Sequence, residues 1–205
     1  MPKPKTELEF RHIYVNFGEK NIFTNLNLKL PNSDFTAIMA PSGFGKTTLI
    51  NLILGIIKPD HGEILGFDDR QISVVFQEDR LLEHKSGLDN ILFVLRNTAS
   101  DNDMAWEMLT RTGLAEDAHK PARDYSGGMR RRLALCRALV TNFDMLILDE
   151  PFKGLDTVLK PDIMALVKQK CLGKAAILVT HDRGEAEFFD SHIVDISSLP
   201  LNHSY

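Results

Sequence analysis

The segment formed by residues 40–47, APSGFGKT, constrains the fold more than any other part of the chain. It lies between a short apolar run, residues 35–39, and a segment with the spacing of an amphipathic helix, residues 46–54. Glycine tolerates the left-handed backbone of a tight turn and lets the chain pass close to a ligand. Backbone N–H groups near Gly43 and Gly45, with the positive end of the following helix, can therefore hold a phosphate group. Strand, glycine turn and helix together predict a phosphate-binding loop.

Two residues depart from the usual form of such a loop. Ala40 stands at the place of the first glycine, and Phe44 is bulkier than the residue usual there. Alanine is acceptable if its φ stays negative, and the preceding strand argues against the competing interpretation of a plain glycine turn before a helix. In a phosphate-binding loop, Lys46 would reach the β- and γ-phosphates, and the Thr47 hydroxyl would ligate Mg²⁺. The predicted nucleotide-binding residues of this segment are Ala40, Pro41, Ser42, Gly43, Phe44, Gly45, Lys46, Thr47 and Thr48.

Strand-like and helix-like segments alternate along most of the chain. The predicted strands of this pattern are residues 35–39, 72–76, 145–148 and 175–179. The predicted helices are residues 46–54, 129–140, 157–171 and 183–189. Residues 58–62, KPDHG, read as a turn. Because parallel strands need helical crossovers that cover both faces of the sheet, this alternation predicts an α/β fold around a mostly parallel sheet.

Two regions break the alternation. Near the N-terminus, residues 8–30 read as two successive half-buried strands, which predicts an antiparallel β portion. In the middle, residues 80–123 have helical spacing, and their last predicted helix stops before Gly113, as at a C-terminal cap. We therefore expect a single domain, with a P-loop NTPase core of about residues 1–79 and 124–205 and an inserted helical subdomain.

Composition narrows the classes of function. The chain of 205 residues carries a net charge of −4, so no overall basic field favours binding to nucleic acid or to anionic lipid. The first residues lack the apolar core of a secretory signal, and no apolar stretch is long enough to span a bilayer. Cys136 and Cys171 form no CxxC pair and predict two buried free thiols in a reducing compartment. Any link to a membrane is therefore expected to come through a partner.

The predicted helix at residues 129–140 carries a cluster of positive charge. Its arginines are Arg130, Arg131, Arg132 and Arg137. Such a cluster can bind nucleic acid, but the negative net charge and the lack of interleaved aromatic residues favour a solvated or phosphate-facing helix surface.

Residues 125–129, YSGGM, precede that helix and supply the most specific signal. Ser126 can cap the helix, while Gly127 and Gly128 leave backbone N–H groups open at its N-terminus for a second anion. A plain helix cap would explain the serine alone, but not beside a phosphate-binding loop. Here the sequence resembles the ABC ATPase family, whose signature segment is LSGGQ, with tyrosine and methionine in place of the leucine and the glutamine. The nucleotide-binding residues that this resemblance implies are Ser126, Gly127, Gly128 and Met129.

Two acidic residues follow the predicted strand at residues 145–148. The run MLILDE resembles the family's Walker B strand, in which Asp149 would hold Mg²⁺ through water and Glu150 would orient or deprotonate the attacking water. A pair of acids that merely caps a strand is the alternative, but it leaves residues 151–156, PFKGLD, unexplained. Those residues resemble the family's D-loop, in which Asp156 lies at the dimer contact.

Three further residues, considered alone, would be interpreted as ordinary polar or core residues. Only the resemblance to the family assigns a functional role to them. Gln77 matches the Q-loop, where its amide would ligate Mg²⁺ and sense the γ-phosphate. His181 matches the H-loop, where its imidazole would donate a hydrogen bond to the γ-phosphate. Phe17 matches an aromatic ring that stacks on adenine, although a core aromatic is the alternative. The residues implied for catalysis are Glu150, His181, Gln77 and Lys46, and those implied for Mg²⁺ are Thr47, Gln77 and Asp149.

The resemblance extends over about residues 10–196 with the motifs in family order, and it is closest to importer subunits of the nitrate, sulfonate and taurine group. It implies an ATP-binding and ATP-hydrolysing subunit that energises solute transport through a partner membrane permease. The family works as a head-to-tail dimer with ATP at the interface, so a second ATPase subunit, most simply an identical one, is an expected partner. An external solute-binding protein is a further candidate partner and nucleic acid is not. The expected location is cytoplasmic, on the inner face of the cell membrane.

Other classes of protein share parts of this pattern. A soluble ABC ATPase of DNA repair would carry a long coiled coil, for which the interval from Gln77 to Ser126 leaves no room. A soluble ABC ATPase of translation would usually carry two such domains. A binding module that has lost hydrolysis is suggested only by Ala40 and Phe44, and the presence of Lys46, Asp149, Glu150 and His181 speaks against it. A nucleotide kinase would explain residues 40–47 but not the later signature. Transport is therefore the main hypothesis, with a soluble ABC ATPase as the alternative.

Overall fold

The computed structural model describes residues 7–31, 34–41, 43–66, 70–95 and 99–198. The strands of this part are β1 (Leu8–Phe17), β2 (Lys20–Leu30), β3 (Phe35–Met39), β4 (His61–Leu65), β5 (Ile72–Val75), β6 (Met145–Asp149), β7 (Ala175–Val179) and β8 (His192–Asp195). Its α-helices are α1 (Lys46–Ile53), α2 (Gly87–Leu92), α3 (Ala99–Arg111), α4 (Gly127–Val140), α5 (Lys160–Lys170) and α6 (Arg183–Phe188). Within these ranges, no helix is both long enough and apolar enough to cross a membrane.

The larger sheet is parallel and has the strand order β5-β6-β7-β3-β8. Alternate side chains of β6 enter two different cores, as the pleat of a strand requires. Leu146 and Leu148 pack with α4 and α5, whereas Met145 and Ile147 pack with α1 and the antiparallel sheet. The central strands are therefore buried on both faces, which explains why they read as continuous apolar runs. The predicted α/β fold with a mostly parallel sheet is confirmed.

The N-terminal sheet is antiparallel and has the order β2-β1-β4. Its register pairs Leu8 with Leu30 and Phe10 with Leu28, so the apolar side chains of both strands face the same core. This confirms the antiparallel portion predicted near the N-terminus.

β4 and β8 are absent from the sequence-based prediction. β4 begins inside the predicted turn at residues 58–62, so that prediction is wrong in its second half. Gly62 has a φ of +96°, and a Cβ placed on it would come within 2.3 Å of the carbonyl oxygen of His12. The strand thus depends on a close approach to β1, and most of its side chains are exposed. Because pairing rather than periodicity defines such short strands, the local pattern does not reveal them.

A helical segment lies between β5 and α4, and backbone contacts close its base. Ser86 forms a β-bridge with Pro121, and the N–H of Ala122 donates to the carbonyl of Lys85 at 2.9 Å. Ser86 is also the N-cap of α2, and α3 is followed by Gly113 with a φ of +64°. The helix stop predicted at that glycine is confirmed, and α2, α3 and α4 share one core.

α5 begins at Lys160, later than the start predicted at residue 157. The Asp156 carboxylate accepts a hydrogen bond from the N–H of Val158 at 2.8 Å. This local bond gives the backbone an alternative to the first helical turn. The helix therefore starts only after the turn that Asp156 organises.

Cys136 and Cys171 are both buried free thiols, as predicted. Burial raises the pKa of each thiol to about 12. We therefore expect neither cysteine to react with N-ethylmaleimide near pH 8 in the folded chain, because the thiolate fraction is roughly a thousandfold below that of a free cysteine. Mass spectrometry before and after unfolding in urea measures this, with adducts expected only after unfolding. Rapid labelling of the native chain would contradict the burial.

Candidate active site

The phosphate-binding loop joins the carboxyl end of β3 to the N-terminus of α1. Gly43 and Gly45 have φ angles of +87° and +79°, in the left-handed region that glycine adopts without strain. A Cβ placed on Gly45 would also come within 2.8 Å of the Phe23 ring. Ala40 is not among the described non-glycine residues with a positive φ, which meets the condition for replacing the usual glycine. Ser42 lies outside the described residues.

The N-terminus of α1 is open to an anion. No side chain caps it, and its first turn contains no acidic residue, so its N–H groups meet no competing carboxylate there. Lys46 Nζ lies along the loop and donates to the carbonyls of Ala40 at 2.8 Å and Pro41 at 3.0 Å. Phe44 packs against the core that α1 shares with the antiparallel sheet, while Thr47 is exposed. This arrangement fits a bound phosphate.

Asp149 ends β6, and the residue is buried, with only 3% of its surface exposed. Burial raises the pKa of Asp149, and the neighbouring charge of Glu150 adds to the rise. A bound cation would offset this penalty because it neutralises the buried negative charge. The environment of Asp149 therefore fits a metal ligand.

Glu150 follows directly and lies between two nitrogen atoms. Its Oε2 is 3.1 Å from Lys153 Nζ, and its Oε1 is 3.5 Å from His181 Nδ1. Burial acts to raise the pKa of Glu150, but the hydrogen bond and charge of Lys153, with smaller effects of His181 and Lys46, outweigh it and hold the pKa below its ordinary value. The side chain is therefore an ionised carboxylate at neutral pH and can accept a hydrogen bond.

A cavity of about 340 Å³ brings residues of the phosphate-binding loop together with Gln77, Asp149 and Glu150. Its lining residues are Ile22, Gly43, Gly45, Lys46, Thr47, Thr48, Gln77, Asp149, Glu150 and Lys153. In the described part of the chain, no three His, Cys, Asp or Glu side chains gather as a metal cage. Mg²⁺ bound together with phosphates needs only one or two carboxylates among oxygen ligands. The oxygen atoms of Thr47, Gln77 and Asp149 fit that requirement.

Phe17 and Asp156 lie outside this cavity. Phe17 is 53% exposed at the end of β1, so its interpretation as a core aromatic is wrong. Asp156 is exposed in the turn before α5. Both side chains are placed where they could meet a ligand or a second chain rather than the interior.

The signature segment lines a different cavity. Ser126 caps α4 by accepting a hydrogen bond from the N–H of Met129 at 3.3 Å, as predicted for a helix cap. Gly127 and Gly128 face a cavity of about 230 Å³ that shares Gln77, Glu150 and Lys153 with the first one. The glycines of the signature and those of the phosphate-binding loop thus line two neighbouring cavities that share these three side chains.

Arg131 does not lie on the solvated or phosphate-facing helix surface that the sequence predicts, whereas Arg130, Arg132 and Arg137 are partly exposed. Arg131 is 5% exposed, and its guanidinium donates to backbone carbonyls of the loops after β5 and β6. Arg132 and Arg137 also donate to backbone carbonyls. The helical spacing of the sequence could have indicated the burial of Arg131, because Leu135 and Ala138 lie four and seven positions later on the same face and are buried.

Two lysines next to the site are missing from the sequence-based prediction. Lys153 contacts Glu150. A turn between the two residues brings them together, and the sequence does not predict that turn. Lys160 Nζ lies 2.7 Å from Glu185 Oε1 and 3.2 Å from Asp182 Oδ2. It thereby connects the start of α5 to the segment that follows His181. No local sequence pattern indicates this pairing.

Comparison with known proteins identifies the family. The family model described as ABC transporter matches residues 23–153, which is more than half of the chain. This chain belongs to the ABC transporter family. The ABC ATPase is 34% identical over 205 residues to the taurine import ATP-binding protein TauB of Escherichia coli strain K12, with 94% of this chain and 80% of that protein covered. TauB of Shigella dysenteriae serotype 1 is also 34% identical, over 215 residues, with 95% and 84% covered.

A solved structure with the same fold is an ATP-binding cassette determined as a dimer in a post-hydrolysis state, with ADP and Pi bound. It superposes on this ABC ATPase with a TM-score of 0.79 at 28% sequence identity. The superposition covers 92% of this chain and 93% of the other. It confirms the P-loop NTPase fold of ABC ATPase domains.

Membership of the family establishes the activity. This ABC ATPase binds and hydrolyses ATP and energises solute transport through a membrane permease, in the dimeric arrangement of ABC proteins. Because the relatives are import subunits, the prediction of an importer-type ABC ATPase is confirmed. The soluble alternative of the repair or translation type is not favoured.

Proposed function

We propose that this chain hydrolyses ATP with Mg²⁺ in a head-to-tail dimer on the inner face of the cell membrane and thereby drives import of a small organic solute. The observation that carries the proposal is the single cavity lined by the phosphate-binding loop, Gln77, Asp149 and Glu150. The taurine import relatives support a sulfonate-type solute, and with it an external solute-binding protein as a further partner.

The residues around the loop would bind the nucleotide. Backbone N–H groups at the start of α1 and the Lys46 ammonium would hold the β- and γ-phosphates, once Lys46 exchanges two carbonyl contacts for phosphate oxygens. Thr47, Gln77 and Asp149 would hold the metal ion. When bound, Mg²⁺ neutralises charge on the terminal phosphates during their transfer to water. The exposed ring of Phe17 would stack on adenine.

Glu150 would act on the attacking water. An ionised carboxylate can orient that water and accept its proton at a carboxylate oxygen. Lys153 and His181 approach the two oxygens from different sides, which restricts the orientation of the carboxylate. Nδ1 of His181 faces Glu150, which leaves Nε2 as the ring nitrogen that would face the γ-phosphate.

ATP held by one chain would be covered by the signature segment of a second chain. The signature glycines line a cavity other than that of the loop, so one chain alone does not enclose the nucleotide. Nothing lies within 4 Å of a Cβ placed on Gly127, which leaves room for a phosphate in front of α4. Asp156 would lie at the dimer contact. An identical copy is the simplest second subunit, since it supplies the complementary surface.

The permease would dock in a groove beside a helical lobe, which we assign to about residues 80–123. A cavity of about 570 Å³ lies between this segment and the parallel sheet. It is lined by β5, by Val94 and by the Arg137 side of α4. Among the described residues, Arg137 Nε is one of the buried polar atoms without a hydrogen-bond partner. The Arg137 residue as a whole is only partly buried, so an incoming helix that presents a carboxylate would meet its positive charge in the groove.

Purification of the tagged chain from gently solubilised membranes tests this function. We expect the wild-type chain to recover a polytopic permease. Val94→Trp fills the groove and should lose the permease, while ATP hydrolysis stays within about twofold of the wild-type rate because the nucleotide cavity is untouched. Immunoprecipitation with mass spectrometry, together with a phosphate-release assay, measures both effects.

Leu172→Trp is the matched control, because Leu172 is 72% exposed just after α5 and does not line the groove. This variant should retain the permease. Loss of the permease in both variants would argue against the groove. Recovery of only ribosomes or DNA-bound proteins with an active ATPase would contradict the transporter role.

A further inference from the structure

Arg131 reaches from α4 to the loop that carries Glu150. Its Nη2 donates to the carbonyl oxygen of Asp149 at 2.6 Å and to that of Glu150 at 2.7 Å. Its Nε donates to the carbonyl oxygen of Pro151 at 2.9 Å. One buried guanidinium thus holds three successive peptide groups of this loop.

The same guanidinium holds the loop that carries Gln77. Nη1 donates to the carbonyl oxygen of Phe76 at 2.6 Å and, at 3.4 Å, to that of Gln77. It also lies 3.2 Å from the carboxylate of Asp79, which balances its charge. Because a guanidinium is planar and its N–H groups diverge in a fixed fork, the two loops are held at a fixed separation.

The backbone of Glu150 depends on such support. Its φ is +46°, in a region that residues other than glycine seldom adopt. A conformation of this kind persists only where the surroundings impose it. The carbonyl bonds from Arg131 fix the peptide groups on both sides of Glu150, and they thereby fix the direction in which its side chain leaves the backbone.

We infer that Arg131 is a positioning residue for ATP hydrolysis, which holds Glu150 and Gln77 in register and ties both to the helix of the signature segment. The inference rests on the proposed roles of Glu150 and Gln77. Because α4 begins at Gly127, a displacement of the signature segment would be transmitted to both side chains through this guanidinium.

Arg131→Lys and Arg131→Gln test the inference, since neither side chain can bridge the two loops. We expect kcat to fall about 10- to 100-fold, the effect of a small misplacement of a catalytic group, while the Kd for ATP changes less than about threefold. Amide hydrogen exchange of the nucleotide-free chain should become faster in peptides covering residues 76–80 and 149–154. Exchange elsewhere in the chain should change little.

The matched control is the same pair of substitutions at Arg132. Arg132 lies at the next position of α4 and donates to the carbonyls of Thr112 and Gly113, outside both cavities. Its variants should leave kcat and the exchange of the two loops unchanged. Arg131→Ala adds a rescue experiment, because guanidinium ion at low concentration can enter the neighbouring cavity and restore rate, whereas methylammonium lacks the planar fork.

Wild-type kcat and wild-type exchange in the Arg131 variants would overturn the inference. It would also be overturned if the Arg132 variants lost as much activity, or if exchange rose throughout the chain, since Arg131 would then only stabilise the fold. The exchange measurement does not depend on hydrolysis. If Glu150→Gln kept the wild-type rate, the proposed role of Glu150 would fail, while exchange would still decide whether Arg131 holds the loops.

Discussion

Replacing Glu150 by glutamine should reduce ATP hydrolysis by at least about 10²-fold while ATP binding is retained, because the amide cannot take a proton from water. The neutral side chain is close in shape to the carboxylate, so the cavity should keep its form. Bound ATP would then persist, and the variant should form a stable dimer when ATP and Mg²⁺ are added. A phosphate-release assay measures the first effect, and size-exclusion chromatography with light scattering measures the second.

Glu187→Gln provides the control for this prediction. Glu187 lies on α6, pairs with Arg183 at 3.4 Å and does not line the cavity. Its variant should hydrolyse ATP at the wild-type rate and should not form a long-lived dimer. If Glu150→Gln behaved like Glu187→Gln, Glu150 would not be the residue that activates water.

The substitution Gly127→Asp, which adds a carboxylate to the signature segment, should strongly reduce ATP hydrolysis without unfolding the chain. A side chain fits there, because nothing lies within 4 Å of an added Cβ. An acidic residue in the first turn of α4 should even stabilise the helix by about 0.3–1 kcal/mol. The same charge would repel the γ-phosphate of ATP held by the second chain and lower the rate by about 10²-fold or more. Thermal unfolding by circular dichroism and a phosphate-release assay measure the two effects.

Gly127→Asn is the isosteric control, since it adds the same bulk without the charge. It should keep much more activity than Gly127→Asp. A similar loss of ATP hydrolysis in both variants would show that the size of the side chain, rather than its charge, causes the loss. The signature segment would then not face a phosphate.

Mixing two inactive variants extends the Gly127 prediction to the head-to-tail arrangement. Lys46→Met lacks the proposed phosphate ligand of the loop, and Gly127→Asp should lack a usable signature segment. A heterodimer combines one intact loop with one intact signature, so an equal mixture should recover up to about a quarter of the wild-type rate. Absence of recovery in heterodimers isolated with two different tags would contradict completion of the site by the second chain.

The phosphate-binding loop can be predicted from the sequence because its residues act through local backbone geometry. β3, the two glycines and α1 are contiguous in the chain, so their order is visible without knowledge of the tertiary structure. The apolar run of β6 likewise ends directly at Asp149 and Glu150. In a parallel sheet the carboxyl ends of the strands share one edge, and this rule brings the two segments together although a hundred residues separate them.

Contacts between distant segments escape such reasoning. β4 is a strand because Gly62 lets it approach β1 closely. The residues of β4 themselves show no alternation of apolar and polar side chains that would predict a strand. Because an arginine is usually solvated, the sequence predicts a surface position for Arg131, whereas carbonyl groups from two loops accept hydrogen bonds from it inside the protein. Lys160 and Glu185 pair only because the fold brings the start of α5 close to α6. Each of these features depends on a neighbour that the local sequence does not contain.

The order of the strands also sets the width of the site. β3, which leads into the phosphate-binding loop, and β6, which ends at Asp149, are separated only by β7. Neighbouring strands lie about 4.8 Å apart, so the two walls of the gap stand roughly 10 Å apart at a distance fixed by the backbone ladder. His181 follows β7, the strand that lies between them, and its Nδ1 is 3.5 Å from Glu150 Oε1. If the proposed function holds, the helical segment and its groove can therefore diverge to suit different permeases, while the gap proposed to hold ATP keeps its dimensions.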